Sequence, residues 1–408
     1  MQGTKKVDIL LNDADQSKLV GQLVLDQTEV LFKYSGAYLQ TGQNLSPIKL
    51  TFNNSIQKAP AKPFNRLFGV FADSIPDAWG RLLLRRKLAA IGLTIETLTP
   101  LDFLLYTGSN SPGALSYRPS FEESFNQDQA FDLDLLNEGI NEIMEGESAE
   151  VIDALFSRGG SPGGARPKTY AGYDPKADQL MHGQDILPQG YEHWIVKFAA
   201  TIDRPDIANM EMAYYQMALD AGIQMMESRL FTGVSGKVYF GTKRFDRIGN
   251  KRVHMISAAG MFHDDYEHSQ MDYGTLIHES IQLINDARVT DQIFRRAAFN
   301  VFAHNRDDHS KNFAFLMTPD GAWSFAPAYD LTFSSSSHGM HSTTVAKNGF
   351  NPGRKELLEL AEHFSIKHGD KIIGEVKAVI SEWKGYAERN KVSKTTTALI
   401  ANRLKEIC

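Results

Sequence analysis

The sequence NRDDHSKNF, at Asn305–Phe313, concentrates charged and polar residues between two apolar stretches. It contains two aspartates, a histidine, a lysine and two asparagines, while FNVF lies shortly before it and AFLM directly follows it. A solvated helix end is one explanation, because Asp308 and Ser310 are typical turn residues. A catalytic loop beside the core is the other, and the polar residues that come later in the chain favour it.

Three side chains have the order and spacing that phosphoryl transfer requires. Asp307 stands five residues before Asn312, two short apolar runs follow, and Asp330 comes directly after them. Kinases use one carboxylate to accept the proton of the attacking hydroxyl, and an amide oxygen and a second carboxylate to hold magnesium. The pattern therefore predicts Asp307 as the base and Asn312 and Asp330 as magnesium ligands. The apolar runs predict a hairpin that turns at Asp320 and Gly321.

A lysine inside an apolar strand precedes this loop. The stretch HWIVKFAA places Lys197 among apolar residues, and Glu211 follows fourteen residues later on the next predicted helix. A buried ammonium is costly without a charged partner, and kinases pair such a lysine with a helical glutamate to bind phosphates. The alternatives are a lysine that protects an edge strand and a surface glutamate.

A glycine-rich stretch, RGGSPGGARPKTY, lies upstream of the lysine strand. Its backbone N–H groups could surround phosphate oxygens, although such a stretch can also be an ordinary turn. The predicted parts then follow one another as in a protein kinase: glycine loop, lysine, glutamate, base, and two metal ligands. His309 has no second histidine at ligand spacing, which favours a structural role over metal binding.

Composition limits the class of protein. The chain has 408 residues, a net charge of −6, and one cysteine, Cys408. A single cysteine excludes disulfides and cysteine metal centres within one chain. The negative charge argues against a protein that coats nucleic acid by itself. We find neither a long apolar run nor a signal peptide in the sequence, so we expect a cytoplasmic protein.

Several motifs together resemble the HipA family of serine/threonine-protein kinase toxins, across nearly the whole chain. They are SIPDAWGRLL, SPGALSY, SPGGARPKT, HWIVKF, NMEMAYYQMA, KRFDR, NRDDHSKNF and PAYDL. The resemblance implies an α+β, bilobal protein-kinase-like fold with a β-rich N-lobe, a small N-terminal subdomain and an all-helical C-lobe. We place these parts at residues 106–248, 1–105 and 249–408, respectively.

The resemblance also implies ATP and Mg²⁺ as cofactors and assigns roles to individual residues. It supports the roles of Asp307, Asn312 and Asp330 given above, places His309 and Lys311 in the active-site loop, and makes Ser161 the autophosphorylation site. The implied cofactor-binding residues are Lys197, Glu211, Gly163, Gly164, Lys168, Phe245 and Asp246. Asp308 is a departure, because some members have glycine at that position.

The partners that the resemblance implies are a helix-turn-helix antitoxin, operator DNA bound indirectly through the antitoxin, and a protein substrate, with no membrane association. Aminoacyl-tRNA synthetases are substrates of some members. Two other functions stay open: a corepressor that binds the antitoxin–DNA complex and has vestigial kinase activity, and a small-molecule kinase of the aminoglycoside type.

Overall fold

The structure is a computed structural model that describes residues 3–13, 16–120, 131–146, 166–336 and 339–407. Its chain forms two compact units. The first comprises Met1–Arg204, Arg229–Ile256 and Leu316–Gly321, and the second comprises Pro205–Ser228, Ser257–Phe315 and Ala322–Cys408. The division into residues 1–105, 106–248 and 249–408 stays a prediction.

The first unit begins with an antiparallel sheet of order β4-β3-β2-β1-β5. Alternating apolar residues, such as Val7 and Ile9 on β1, bury one face of it. The strands are β1 Lys6–Asp13, β2 Gln16–Asp26, β3 Glu29–Tyr34, β4 Gln57–Lys58 and β5 Leu115–Arg118. The helices of this region are α1 Gly36–Leu39, α2 Gly69–Ala72, α3 Ala78–Ala90 and α4 Pro100–Thr107.

A second sheet, of order β7-β6-β8-β10-β9, carries the predicted lysine strand at its centre. Helix α5, Leu133–Glu145, packs its apolar residues against this sheet. The strands are β6 Lys168–Asp174, β7 Gln179–His182, β8 Glu192–Lys197, β9 Ser228–Thr232 and β10 Val238–Lys243, and a separate short pair is β11 Arg247–Ile248 and β12 Lys251–Arg252.

One hydrophobic core joins α3 to the second sheet. Trp79 and Leu83 of α3 pack in the same cluster as Trp194 of β8 and Ile140 of α5. The indole Nε1 of Trp79 also donates a 3.2 Å hydrogen bond to the carbonyl oxygen of Lys168. The first unit therefore includes both the N-terminal sheet and the lysine sheet.

The second unit is mainly helical, and the predicted hairpin is formed by β14 (Ala314–Met317) and β15 (Trp323–Phe325). Strands β14 and β15 are neighbours in a three-stranded sheet, which confirms the hairpin. The helices of the second unit are α6 Ile207–Asp220, α7 Ala258–Phe262, α8 Tyr273–Ile284, α9 Val289–Phe302, α10 Arg354–His363, α11 Gly369–Ser381, α12 Trp383–Arg389 and α13 Lys394–Ile407. The three-stranded sheet consists of β13 His254–Ser257, β14 Ala314–Met317 and β15 Trp323–Phe325. Among the residues described, we find no helix with the length and hydropathy needed to span a membrane.

Candidate active site

Two adjacent aspartates in the 305–313 loop, which follows α9, have opposite environments. The side chain of Asp307 is 59% exposed, whereas that of Asp308 is fully buried. Buried Asn305 anchors the start of the loop, because its Nδ2 donates a 2.9 Å hydrogen bond to Oδ1 of Asn300 in α9. Only Asp307 of the two aspartates can reach a proton on an external molecule.

Asn312 is oriented by the residue that we predict to be the base. Its Nδ2 donates a 2.7 Å hydrogen bond to the carbonyl oxygen of Asp307. A 3₁₀ turn at Ser310–Asn312 makes this contact possible, and the Asn312 N–H closes the turn on the carbonyl oxygen of His309 at 2.8 Å. Because the amide nitrogen is used, Oδ1 of Asn312 is the atom that could bind a cation.

Asp330 lies at the exit of the hairpin, close enough to the 305–313 loop to act on it electrostatically. Its φ of 53° is in the left-handed region, which is uncommon for a residue with a side chain. Both Asp307 and Asp330 oppose the fall in the pKa of His309 that burial causes. The neighbouring Tyr329 donates a 2.6 Å hydrogen bond to the carbonyl oxygen of Lys311. The structure thus brings the predicted base and both predicted metal ligands together.

His309 and Lys311 both contact an aromatic ring that the sequence analysis did not identify. The Nζ of Lys311 lies 4.3 Å from the ring centroid of Tyr266, and the His309 ring centroid lies 5.8 Å from it. Nε2 of His309 is 3.8 Å from Oδ1 of Asp307. Asp264 lies two residues before Tyr266 and accepts a hydrogen bond from the hydroxyl of Ser310. This bond holds the chain around Tyr266 against the 305–313 loop. No signal in the sequence distinguishes Tyr266 from other tyrosines.

Lys197 occupies a central strand and faces a second lysine. Because β8 has a neighbour on each side, the explanation of Lys197 as a protector of an edge strand is wrong. Lys168 of β6 is its direct partner in the antiparallel register, and directly opposed side chains share a face of the sheet. Nζ of Lys197 also lies 5.5 Å from the ring centroid of Phe240. Contact of Lys197 and Lys168 with phosphate stays a prediction.

Asp246 belongs to a buried structural network. Its carboxylate accepts hydrogen bonds from Arg244 at 2.7 and 2.8 Å, from Arg247 at 2.8 Å and from the N–H of Gly113 at 2.7 Å. The two arginines help to hold its pKa far below the usual range against the opposing effect of burial. Both oxygens are engaged, so Asp246 fixes the backbone beside half-buried Phe245; contact of Phe245 and Asp246 with nucleotide stays a prediction.

The remaining predicted residues are only partly accounted for. Glu211 is buried in α6, in the second unit, whereas Lys197 is in the first; their pairing stays a prediction. Ser161, Gly163 and Gly164 lie outside the described residues.

Comparison with protein families gives two matches. Residues 8–118 match the model of the HipA N-terminal domain, and residues 160–383 match that of the HipA-like C-terminal domain. The chain belongs to the HipA family. A comparison with curated protein sequences finds no significant match.

One solved structure confirms the fold of this HipA family member. HipA of Shewanella oneidensis MR-1, solved with HipB and its operator DNA, matches with a TM-score of 0.67 and 16% identity, over 98% of this chain and 95% of that chain. Because the two sequences are only 16% identical, the match shows the fold alone, and it confirms the predicted α+β fold class. The Helicobacter pylori proinflammatory kinase CtkA aligns over 53% of this chain and 91% of its own, with 13% identity and a TM-score of 0.32, which is too low to support an argument.

Proposed function

We propose that this HipA family member is an ATP-dependent serine/threonine-protein kinase and the toxin of a toxin–antitoxin pair. The observation that carries the proposal is the hydrogen bond from Asn312 to the backbone of exposed Asp307. This bond supports the proposal because it holds the Asn312 side chain, whose amide oxygen can bind a cation, on the backbone of the residue whose carboxylate can accept a proton. With Asp330 nearby, these are the groups that phosphoryl transfer requires.

Each residue has one task in the proposed reaction. Asp307 accepts the proton of the acceptor hydroxyl, Asn312 and Asp330 hold magnesium through oxygen atoms, and Lys197 contacts the phosphates of ATP. Magnesium, when bound, neutralises the negative charge of those phosphates. Burial lowers the pKa of His309, while Asp307 and Asp330 oppose the fall; a neutral imidazole next to Asp307 would not compete as a cation for that carboxylate.

Regulation through Ser161 is part of the same proposal. A phosphoserine there would add about −1.5 to −2 charges at neutral pH and compete for the groups that bind ATP. Arg166, close to Ser161 in sequence, already forms a 3.1 Å ion pair with Asp203. Arg158, Arg166 and Lys168 flank Ser161 in the sequence and are the cations that we propose respond to the new charge.

The family and the complex of the Shewanella protein with HipB and operator DNA support a proposal for the partners. We propose a helix-turn-helix antitoxin as the direct partner, with operator DNA bound through it, and a protein Ser or Thr as the phosphate acceptor.

One experiment separates the candidate functions. The purified protein and its Asp307→Asn variant are incubated with labelled ATP, magnesium and host lysate, and phosphosites are mapped on the chain and on lysate proteins. We expect labelled Ser or Thr, including Ser161, with the wild type alone. Labelling of small molecules alone would indicate a small-molecule kinase. Binding of an antitoxin–operator complex without any transfer would indicate a corepressor.

A further inference from the structure

The residues on either side of Asp307 both bind the same distant part of the chain, the segment 339–351. Arg306 donates hydrogen bonds from its guanidinium to the carbonyl oxygen of Gly339 and, at 3.1 Å, to Oδ1 of Asn351. Asp308 binds residues 341–343 of that segment. The exposed residue between them, Asp307, makes neither contact.

The Asp308 carboxylate accepts hydrogen bonds at both oxygens. Oδ1 receives the backbone N–H groups of Ser342 at 2.9 Å and Thr343 at 3.2 Å. Oδ2 receives the hydroxyl of Tyr273 at 3.0 Å and lies 3.1 Å from Nδ1 of His341. Burial, followed by the negative charge of Asp308, raises the pKa of Tyr273 well above 10, so Tyr273 stays a donor. A carboxylate engaged in this way is poorly suited to accept a substrate proton.

Ser342 links the two residues that flank Asp307. Its backbone N–H lies 3.2 Å from the carbonyl oxygen of Arg306 and 2.9 Å from Oδ1 of Asp308, and its hydroxyl donates to that same carbonyl oxygen at 3.2 Å. Thr343 adds a 2.6 Å bond from its hydroxyl to the carbonyl oxygen of Asp308. The backbone on both sides of Asp307 is therefore held by one short stretch.

The contacts continue into the helical core. Asn300 of α9 donates a 2.8 Å hydrogen bond to the Tyr273 hydroxyl, and it accepts one from Asn305 at the start of the loop. Helices α8 and α9, the 305–313 loop and the segment 339–351 thus share one network centred on Asp308. Hydrogen bonds in a buried setting are stronger than hydrogen bonds in water, and a connected network of them favours one arrangement of the backbone.

We propose that Asp308 is a positioning residue: together with Ser342 it fixes the backbone around Asp307 and so places the catalytic carboxylate. This rests on the proposed kinase function. The structural argument is that the exposed carboxylate of Asp307 is carried by a backbone whose two flanking residues, Arg306 and Asp308, are both anchored. A misplacement of about 1 Å at a reacting group can lower a rate about 100-fold, so the loss of one anchor should appear in kcat.

The test compares Asp308→Ala, Asp308→Asn and, as a matched control, Asp206→Asn. Asp206 also accepts a backbone N–H, that of Ser393 at 2.8 Å, and a hydroxyl, that of Thr396 at 3.1 Å, but these cap α13. The measurements are kcat, the KM for ATP, ATP affinity, and amide hydrogen exchange of Ser342 and Thr343 without nucleotide. Circular dichroism at the assay temperature confirms that each variant is folded.

For Asp308→Ala we expect kcat to fall about 10-fold to 100-fold with ATP affinity within about twofold of wild type, and exchange at Ser342 and Thr343 to accelerate about 10-fold or more. Asp308→Asn should lie between, because its single acceptor oxygen can still bind the two N–H groups. If Asp308→Ala does not fold, Asp308→Asn with its faster exchange and lower kcat carries the test. Asp206→Asn should change neither kcat nor the amide exchange of Ser342 and Thr343.

A folded Asp308→Ala variant with wild-type kcat, or with loss of kcat and ATP affinity in equal measure, would overturn the proposal. Unchanged exchange at Ser342 and Thr343 would do so as well. If the wild-type protein transfers no phosphate, the proposed kinase function fails first; the exchange measurement still reports on the anchor itself and distinguishes the two failures.

Discussion

Lys168 and Lys197 stand directly opposite each other on adjacent strands β6 and β8. Opposed like charges destabilise a sheet, and the phosphate contact that we propose for Lys197 would add a favourable interaction at this place. We therefore expect magnesium-ATP to raise the melting temperature of the wild-type protein and expect Lys197→Met to reduce that shift strongly. Thermal unfolding with and without nucleotide measures it. Lys176→Met, at an exposed turn, should keep the full shift; an equal loss in both variants would rule out a specific phosphate contact.

The Asp307→Asn variant tests the base. The substitution keeps the shape of the side chain and leaves the carbonyl oxygen that Asn312 binds, but an amide cannot accept the substrate proton. We expect kcat to fall by about 10²–10⁴-fold with nearly unchanged ATP affinity, measured by steady-state kinetics and calorimetry. Asp320→Asn, at the exposed tip of the hairpin, is the control. Turnover close to wild type in Asp307→Asn would assign the base elsewhere.

We expect Asp330 to bind magnesium and not to accept the proton of the substrate hydroxyl. Asp330→Asn is the informative change, because asparagine tolerates the left-handed φ of 53° that other residues resist. We expect a higher magnesium concentration for half-maximal ATP binding, with little change in melting temperature without nucleotide. A magnesium titration of ATP binding measures this. An unchanged midpoint would remove Asp330 from the set of metal ligands.

Buried histidines make stability depend on pH. Burial lowers the pKa of His254 from 6.5 to about 4. Above pH 6.5 the histidine is neutral in both states; as pH falls below 6.5, the unfolded chain binds a proton that the folded chain does not, and stability is lost at up to about 1.4 kcal/mol per pH unit. His254→Gln should reduce this loss between pH 7 and 4.5, measured by urea unfolding. Equal acid sensitivity in both proteins would contradict the assignment.

Trp79 should support the lysine sheet through packing. Trp79→Ala removes a buried ring from the cluster that includes Trp194, and we expect a loss of about 3–5 kcal/mol in unfolding free energy. Trp79→Phe should cost less, since it keeps much of the volume and loses the bond to the Lys168 carbonyl oxygen. Leu135→Ala, on the exposed side of α5, is the control. Chemical denaturation measures all three.

The sequence was sufficient for features that depend on order and periodicity. The spacing of Asp307, Asn312 and Asp330 around two apolar runs predicts a hairpin, which the structure contains. The Asn312 side chain lies on the Asp307 backbone and Asp330 acts on His309 electrostatically, while the roles of the three residues stay predictions. The central position of Lys197 follows from apolar residues on both sides of it, although the sequence alone left an edge strand open.

Other features depend on contacts between distant residues. Asp307 and Asp308 are identical and adjacent, and only the position of residues 341–343 decides which one is buried. The hydrogen bond between Gly113 and Asp246 also joins residues that are far apart in the sequence. The sequence around an aspartate does not distinguish one that forms a buried ion pair from one that contacts a ligand. Tyr266 could not be identified at all, since its relation to Lys311 is purely spatial.

The contact between Asp308 and His341 has a consequence for the history of the family. A glycine, which some HipA-like sequences have in place of Asp308, offers no acceptor to a buried imidazole, so a histidine opposite it would lose its partner. We therefore expect the two positions to covary among homologues: lineages that acquired the aspartate should have acquired a polar partner at position 341, and lineages with glycine should have an apolar or small residue there.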